Sequence, residues 1–134
     1  MLEMYEPHIE DLWFKEKMMS DEQTMSYNHA YGGMIPFPKE YWADWHSRWI
    51  RNHNGKRFYR YIKENDNFVG EVAYHFDEER QIYIADVIIY APYRGKGYGR
   101  KGLLLLCETA KENDIKAVFR HIGGQQFFRL SESN

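Results

Sequence analysis

The stretch Ile88-Ile89-Tyr90-Ala91-Pro92-Tyr93-Arg94-Gly95-Lys96-Gly97-Tyr98-Gly99-Arg100-Lys101-Gly102 constrains this chain more than any other. An apolar strand runs into a turn holding Gly95, Gly97 and Gly99, and a helical pattern starts at once. Such a turn aims several backbone N–H groups at one spot and adds the positive end of the helix dipole. Glycines permit positive φ and let a ligand approach the main chain closely. Arg94, Lys96, Arg100 and Lys101 add local positive charge to a chain whose net charge is -2. The expected ligand is a phosphate or pyrophosphate.

Two common phosphate turns are excluded by what surrounds this one. A Walker loop ends in Gly-Lys followed by Ser or Thr, and here Gly99 is followed by Arg100. Gly97-Tyr98-Gly99-Arg100-Lys101-Gly102 fits the dinucleotide pattern G-x-G-x-x-G. That pattern needs parallel βαβ units and an acid about 20 residues on. The segment Ile115–Leu130 holds no acid.

The rest of the chain supplies the context. His8 to Met19 places Ile9, Leu12 and Trp13 at helical spacing, and Pro7 suits the first turn. Pro38 opens a second helix, with Trp42, Trp45 and Trp49 on one face as expected core. Lys56–Glu64, Phe68–Phe76 and Gln81–Tyr90 read as an antiparallel meander, with turns at Asn65-Asp66-Asn67 and Asp77 to Arg80. Tyr98 to Asn113 is helical, with Leu103, Leu104, Leu106, Cys107 and Ala110 expected inward. Ile115 to Ile122 is a last strand, expected parallel to Gln81–Tyr90 through a right-handed crossover. With 134 residues, 43% of them hydrophobic, the expectation is a single domain over 1–134 with its own core.

Arg94-x-x-Gly97-x-Gly99 between a strand and a helix resembles the acetyl-CoA loop of the GNAT superfamily of N-acetyltransferases. Two helices, a three-strand meander, the loop, its helix and a further strand follow that family's order over residues 7–122. The resemblance implies an α+β fold of three layers: a mixed sheet whose meander leads into a β-loop-α-β acetyl-CoA unit. It implies acetyl transfer from acetyl-CoA to a primary amine by direct attack. Val87, Ile88 and Ile89 would offer main-chain groups to the pantetheine and thioester. The turn Arg94, Gly95, Lys96, Gly97, Tyr98, Gly99 and Arg100 would hold the pyrophosphate. The loop Tyr27-Asn28-His29-Ala30-Tyr31-Gly32-Gly33 would meet the acceptor, with Tyr27, Asn28, His29 and Tyr31 as its candidate contacts. The acceptor could be a small polyamine or aminoglycoside-like amine, an amino acid, or a protein N-terminus. The alternative is a degenerate relative that binds coenzyme A or a partner without turnover.

Strand parity adds a candidate acceptor face. If the turns are tight, Tyr61 lies near Glu71 and Glu71 near Asp86, and Tyr59, Tyr61, Glu71, His75 and Asp86 share one face. Adjacent carboxylates raise at least one pKa. Glu71 and Asp86 are therefore candidate bases, or an anionic seat for a cationic amine. A solvated pair or a network with Arg60 or Lys63 is the structural alternative. His46 and His53 lie seven apart on the second helix, too few ligands for a metal, and none is expected.

The end of the chain departs from the family pattern. The usual further helix and two-strand hairpin are not seen after Ile122, and the last tyrosine is Tyr98, so a late tyrosine acid is missing. Either the acid comes from elsewhere or the chain is incomplete. Read with permitted codons shifted by one nucleotide, Arg120 to Asn134 can spell a stretch resembling the family's continuation. The expectation is a frameshifted tail from about His121, an unpaired edge along Ile115–Ile122, and a homodimer that covers it. The net charge gives no field for nucleic acid, no apolar run spans a membrane, and one cysteine, Cys107, points to a reducing, cytoplasmic setting.

Overall fold

A computed structural model describes residues 1–123 and 126–132, with the side chains of residues 29–31, 122, 123, 131 and 132 outside that description. Six strands form one sheet in sequence order: β1 (Leu2–Tyr5), β2 (Arg57–Glu64), β3 (Asn67–Asp77), β4 (Ile82–Ile89), β5 (Ala117–Gly123) and β6 (Gln126–Glu132). All neighbours are antiparallel except β4 and β5, which run parallel across the crossover helix α3 (Tyr98–Glu112). The mixed sheet with helices on both faces is the α+β architecture expected from the sequence.

Alternation along β2, β3 and β4 gives the sheet two apolar faces. One packs α3 through Leu106 and Ala110 against Ile62, Val72, Ala85 and Val118. The other packs the N-terminal segments through Leu12, Phe14, Met18 and Trp42 against Tyr59, Tyr61 and Ala73. Gly102 lets α3 lie close on the sheet, since a Cβ there would sit 2.6 Å from Ile62 Cδ1. Leu104 turns outward at 58% exposure, against the inward expectation. It stands one position beyond the stripe that Leu103, Leu106 and Ala110 define.

The first half is less regular than its periodicity suggests. A 3-10 turn, Ile9–Leu12, feeds the short α1 (Trp13–Met19), with Asp11 accepting the His8 N–H at 2.9 Å. The second helix begins as α2 (Trp42–His46) and widens into a π turn at Ser47–Arg51. His53 lies past its end, so it shares no helix face with His46, which is buried with Nε2 2.9 Å from the Pro7 carbonyl.

Two edges differ from expectation. β1 pairs with β2 through Leu2↔Glu64 to Tyr5↔Tyr61, a strand the acidic N-terminal composition concealed. The edge of β5, expected bare, is paired with β6 from Ala117↔Glu132 to Gly123↔Gln126. The run Gln126–Glu132 pairs back on β5 as a strand. The argument for a dimer that rested on a bare β5 edge falls with it.

Candidate functional site

The parallel pairing of β4 with β5 is recorded at Tyr83↔Val118 and Ile84↔Phe119. Beyond Ile84 the strands part, and a cleft of about 460 Å³ opens between them. Its walls include Asp86, Val87, Ile88 and Ile89 of β4, Gly99 of the glycine turn, and Arg120 of β5. Main-chain groups of β4 that point toward β5 have no strand to meet there.

The glycine turn closes one end. Gly95 and Gly97 hold φ of +82° and +81°, and Gly97 is the N-cap of α3. The Lys101 N–H is the first to bond back, to the Gly97 carbonyl at 3.1 Å. The N–H groups of Tyr98, Gly99 and Arg100 therefore have no intrahelical partner. Of the residues expected to bind the donor, Val87, Ile88, Ile89, Arg94 and Gly99 line this one cleft.

Arg94 does something the motif did not reveal. Its guanidinium donates to the Gln23 carbonyl at 2.9 Å and the Thr24 carbonyl at 2.7 Å, and its N–H is spent on Ala91 at 3.1 Å. Thr24 is fully buried. Its hydroxyl accepts the Ala91 N–H at 2.9 Å and donates to Asp21 at 2.5 Å, which holds the Asp21 carboxyl below its ordinary range. The glycine turn is thereby fastened to the loop that precedes Tyr27.

A second pocket of about 240 Å³ adjoins the cleft and shares Tyr27, Asp86, Val87 and Ile88 with it. Its inner wall carries Lys15, Trp45, Trp49, Tyr59 and Glu71. Tyr61 pairs with Glu71 as parity predicts, but Glu71 pairs with Ile88 and Asp86 with Ala73. The four-residue connection falls at 78–81, one residue later than the expected 77–80, with Asp77 accepting the Arg80 N–H at 3.0 Å, and this displacement moves the register by two. An even shift keeps the face, so Glu71 and Asp86 still lie on one side of the sheet.

The two carboxylates live in different surroundings. Glu71 is 5% exposed, sits 3.0 Å from Lys15 Nζ, and accepts the Tyr59 hydroxyl. Burial, with the Glu71 charge beside it, raises the Tyr59 phenol well above its ordinary value. Asp86 stands at the junction of the two cavities, 58% exposed, with His75 Nδ1 4.0 Å away. The crowding of the cleft walls raises its carboxyl above the ordinary range. His75 opposes that shift and Glu71 adds to it.

Of the acceptor residues read from sequence, Tyr27 alone is seen to line the site. It stands at the same junction, 63% exposed, its phenol pushed up to about 12 by burial and by the charges of Glu71 and Asp86. Tyr61 is instead a fully buried core residue whose hydroxyl donates to the Asp11 carbonyl at 2.7 Å. Asn28 spends its amide on the Gly33 carbonyl at 2.9 Å and shapes the loop from within. The side chains of His29 and Tyr31 lie outside the described ones. Lys15, Thr24, Trp45 and Trp49 are site residues the sequence reading missed as such. The two tryptophans gave a helical signal but were assigned to the core.

A parallel strand pair that splays over a glycine turn at a helix N-terminus, beside a carboxylate-bearing pocket, sets the class of this α+β fold. The acetyltransferase (GNAT) family pattern matches residues 11–128, and the chain belongs to that family. Its fold is similar to that of yncA from Salmonella typhimurium with its cofactor acetyl-CoA, at 18% identity and TM-score 0.68, covering 93% of this chain and 72% of that one. It is also similar to a chimera of the Vibrio cholerae spermidine N-acetyltransferase and hSSAT, at 16% identity and TM-score 0.69, over 90% and 70%. A ribosomal-protein-alanine N-acetyltransferase from Brucella melitensis matches at 19% identity and TM-score 0.66, over 90% and 72%. No curated protein matches the sequence. Among the described residues no helix is long and apolar enough to cross a membrane.

Proposed function

We propose that this chain transfers the acetyl group of acetyl-CoA to a primary amine by direct attack. The observation that carries the reading is the parting of β4 from β5 beyond Ile84, which opens a cleft leading from the glycine turn to the pocket at Asp86. Main-chain groups of Val87, Ile88 and Ile89 hold the pantetheine and thioester, and N–H groups of the turn 95–100 hold the pyrophosphate. An N–H of β4 faces the thioester oxygen as its negative charge develops.

An ammonium is no nucleophile, so a proton must leave first. Glu71 is closed off by Lys15 and Tyr59, which leaves Asp86 to take that proton, directly or through one water. The freed nitrogen attacks the carbonyl carbon, the C–N bond forms, and the C–S bond breaks. The departing thiolate takes a proton from Tyr27, whose phenol stays protonated at neutral pH, and the second proton shed by the nitrogen as the amide forms passes through water to restore that phenol. Tyr27 thus takes the acid's part that the family resemblance gives to a late tyrosine.

Calorimetry with acetyl-CoA on the wild type and on Gly97→Glu tests this reading. A Cβ at Gly97 meets nothing within 4 Å, so the variant folds, at a cost of about 1–2 kcal/mol for the left-handed backbone. Micromolar binding by the wild type that the variant loses supports the donor site. Binding that is equal in both refutes it. Binding without thiol release for any amine marks a coenzyme A-binding protein without turnover.

A further inference from the structure

The pocket behind Asp86 buries a charge of the chain's own. Lys15 and Glu71 are each 5% exposed, and their ammonium and carboxylate lie 3.0 Å apart. The same ammonium stands 5.0 Å from the Trp45 ring, 4.8 Å from Tyr59 and 5.8 Å from Phe37. One carboxylate and three aromatic faces make up a receptor for an alkylammonium ion. The Lys15 N–H is held by the Tyr61 hydroxyl at 3.2 Å, so the root of the side chain is fixed. The lysine occupies a seat that the acceptor pocket would otherwise offer to a cationic ligand.

We infer that Lys15 is a built-in occupant of the ammonium seat beside Asp86, and that it restricts the acceptor to a primary amine bearing a single positive charge on an apolar or aromatic body. The acceptor half of this statement rests on the acetyltransferase reading above. The pocket's charges carry the argument. Lys15 and Glu71 cancel, and among the described residues Asp86 is left as the one acid on the pocket wall not already paired in a buried contact. One incoming ammonium finds its partner there. A second positive group finds no free carboxylate on the inner wall and meets the Lys15 charge instead. Arg94 and Arg120 on the neighbouring cleft oppose it too. The remaining walls are Trp45, Trp49, Tyr59, Ala73, Val87 and Ile88, which favour a flat or apolar body.

Two measurements test the inference. Thiol release is followed with acetyl-CoA and 2-phenylethylamine, putrescine or spermidine. The wild type should use 2-phenylethylamine with kcat/KM at least about tenfold above either polyamine; an equal or reversed preference overturns the restriction. Lys15→Ala is melted with and without excess n-butylammonium, against sodium at equal ionic strength. Its midpoint should rise saturably with butylammonium alone, while the wild type does not respond. No amine-specific rise in the variant removes the seat. If Lys15→Ala fails to fold, the double variant Lys15→Met/Glu71→Gln, which removes both charges at nearly constant volume, takes its place. Its preference for the monoamine should fall toward unity, and an unchanged preference overturns the assignment to Lys15. A wild type that acetylates none of these amines but binds acetyl-CoA sinks the acceptor claim. One that does neither sinks the acetyltransferase reading, and the melting experiment still decides the seat.

Discussion

Gly70 is where the fold and the donor cleft depend on one missing methyl group. It lies on β3 opposite Ile89 of β4. A Cβ there would sit 2.3 Å from the Ile88 carbonyl oxygen, 2.9 Å from Ile89 Cδ1 and 3.1 Å from Ile89 Cα. Real Cβ contacts essentially never fall below 3.0 Å, so Gly70→Ala must push the β4 main chain away by about 0.7 Å. A carbonyl cannot rotate aside as a side chain does. The cost is therefore placed toward the upper part of the overpacking range, about 2–3 kcal/mol. An unfolding entropy of about 2.1 cal/mol/K per residue over this chain converts 1 kcal/mol to about 4 °C. The melting midpoint should fall by about 8–12 °C, read by circular dichroism and checked by urea titration. Because Ile88 and Ile89 line the cleft, acetyl-CoA affinity should fall with it. Gly99→Ala is the control: its Cβ would lie 3.6 Å from Ile89 Cγ1, an ordinary contact, in the first turn of α3. That change should be neutral or stabilise by up to about 1 kcal/mol. A Gly70→Ala midpoint within about 3 °C of wild type would refute the argument that β4 is held against β3 by that glycine.

Thr24→Val keeps the side-chain shape but strips the Ala91 N–H of its acceptor. It should cost about 1–3 kcal/mol and weaken acetyl-CoA several-fold, whereas Thr24→Ser retains both properties; calorimetry and melting read the pair. Asp86 gives a pH test whose two signs differ. As a base it works only when ionised, so kcat/KM should climb as pH rises through its raised pKa, and Asp86→Asn should remove that limb. For stability, a folded pKa above the unfolded one means the proton favours the fold. That contribution is full below the unfolded pKa and is lost as pH rises through the folded one. Asp86→Asn should thus be at least as stable as wild type at neutral pH, and a rate limb that survives the substitution would exclude Asp86 as the base.

What could be read in advance divides along physical lines. The glycine turn was legible because backbone geometry itself demands glycine at Gly95 and Gly97. The pairing of Tyr61 with Glu71 came out as read by a different route: the turn holds only Asn65 and Asp66, with Asn65 at φ +56°, and a bulge between Ile62 and Lys63 restores the residue that the three-residue turn read from the sequence had counted. The next register was out by two because the four-residue connection begins one residue later than read: Asp77 still pairs with Ile82 while its carboxylate accepts the Arg80 N–H, and alternation alone does not fix where a turn starts. Lys15 was passed over because a lysine in an amphipathic segment is ordinarily solvated. Its partner Glu71 is 56 residues away, and local periodicity carries no trace of that contact. The strands β1 and β6 escaped for the same reason: each exists through pairing to a neighbour rather than through its own alternation.

The bonds from Thr24 and Arg94 make the two halves of the site mechanically one. The glycine turn cannot shift toward a ligand without drawing on residues 21–24, and that segment leads within three residues to Tyr27 at the mouth of the other pocket. Filling either cavity therefore changes the free energy of filling the other, and thermodynamic linkage makes the coupling equal in both directions. Donor and acceptor affinities measured separately should not sum to the affinity of the ternary complex, and the shortfall or surplus should vanish in Thr24→Val.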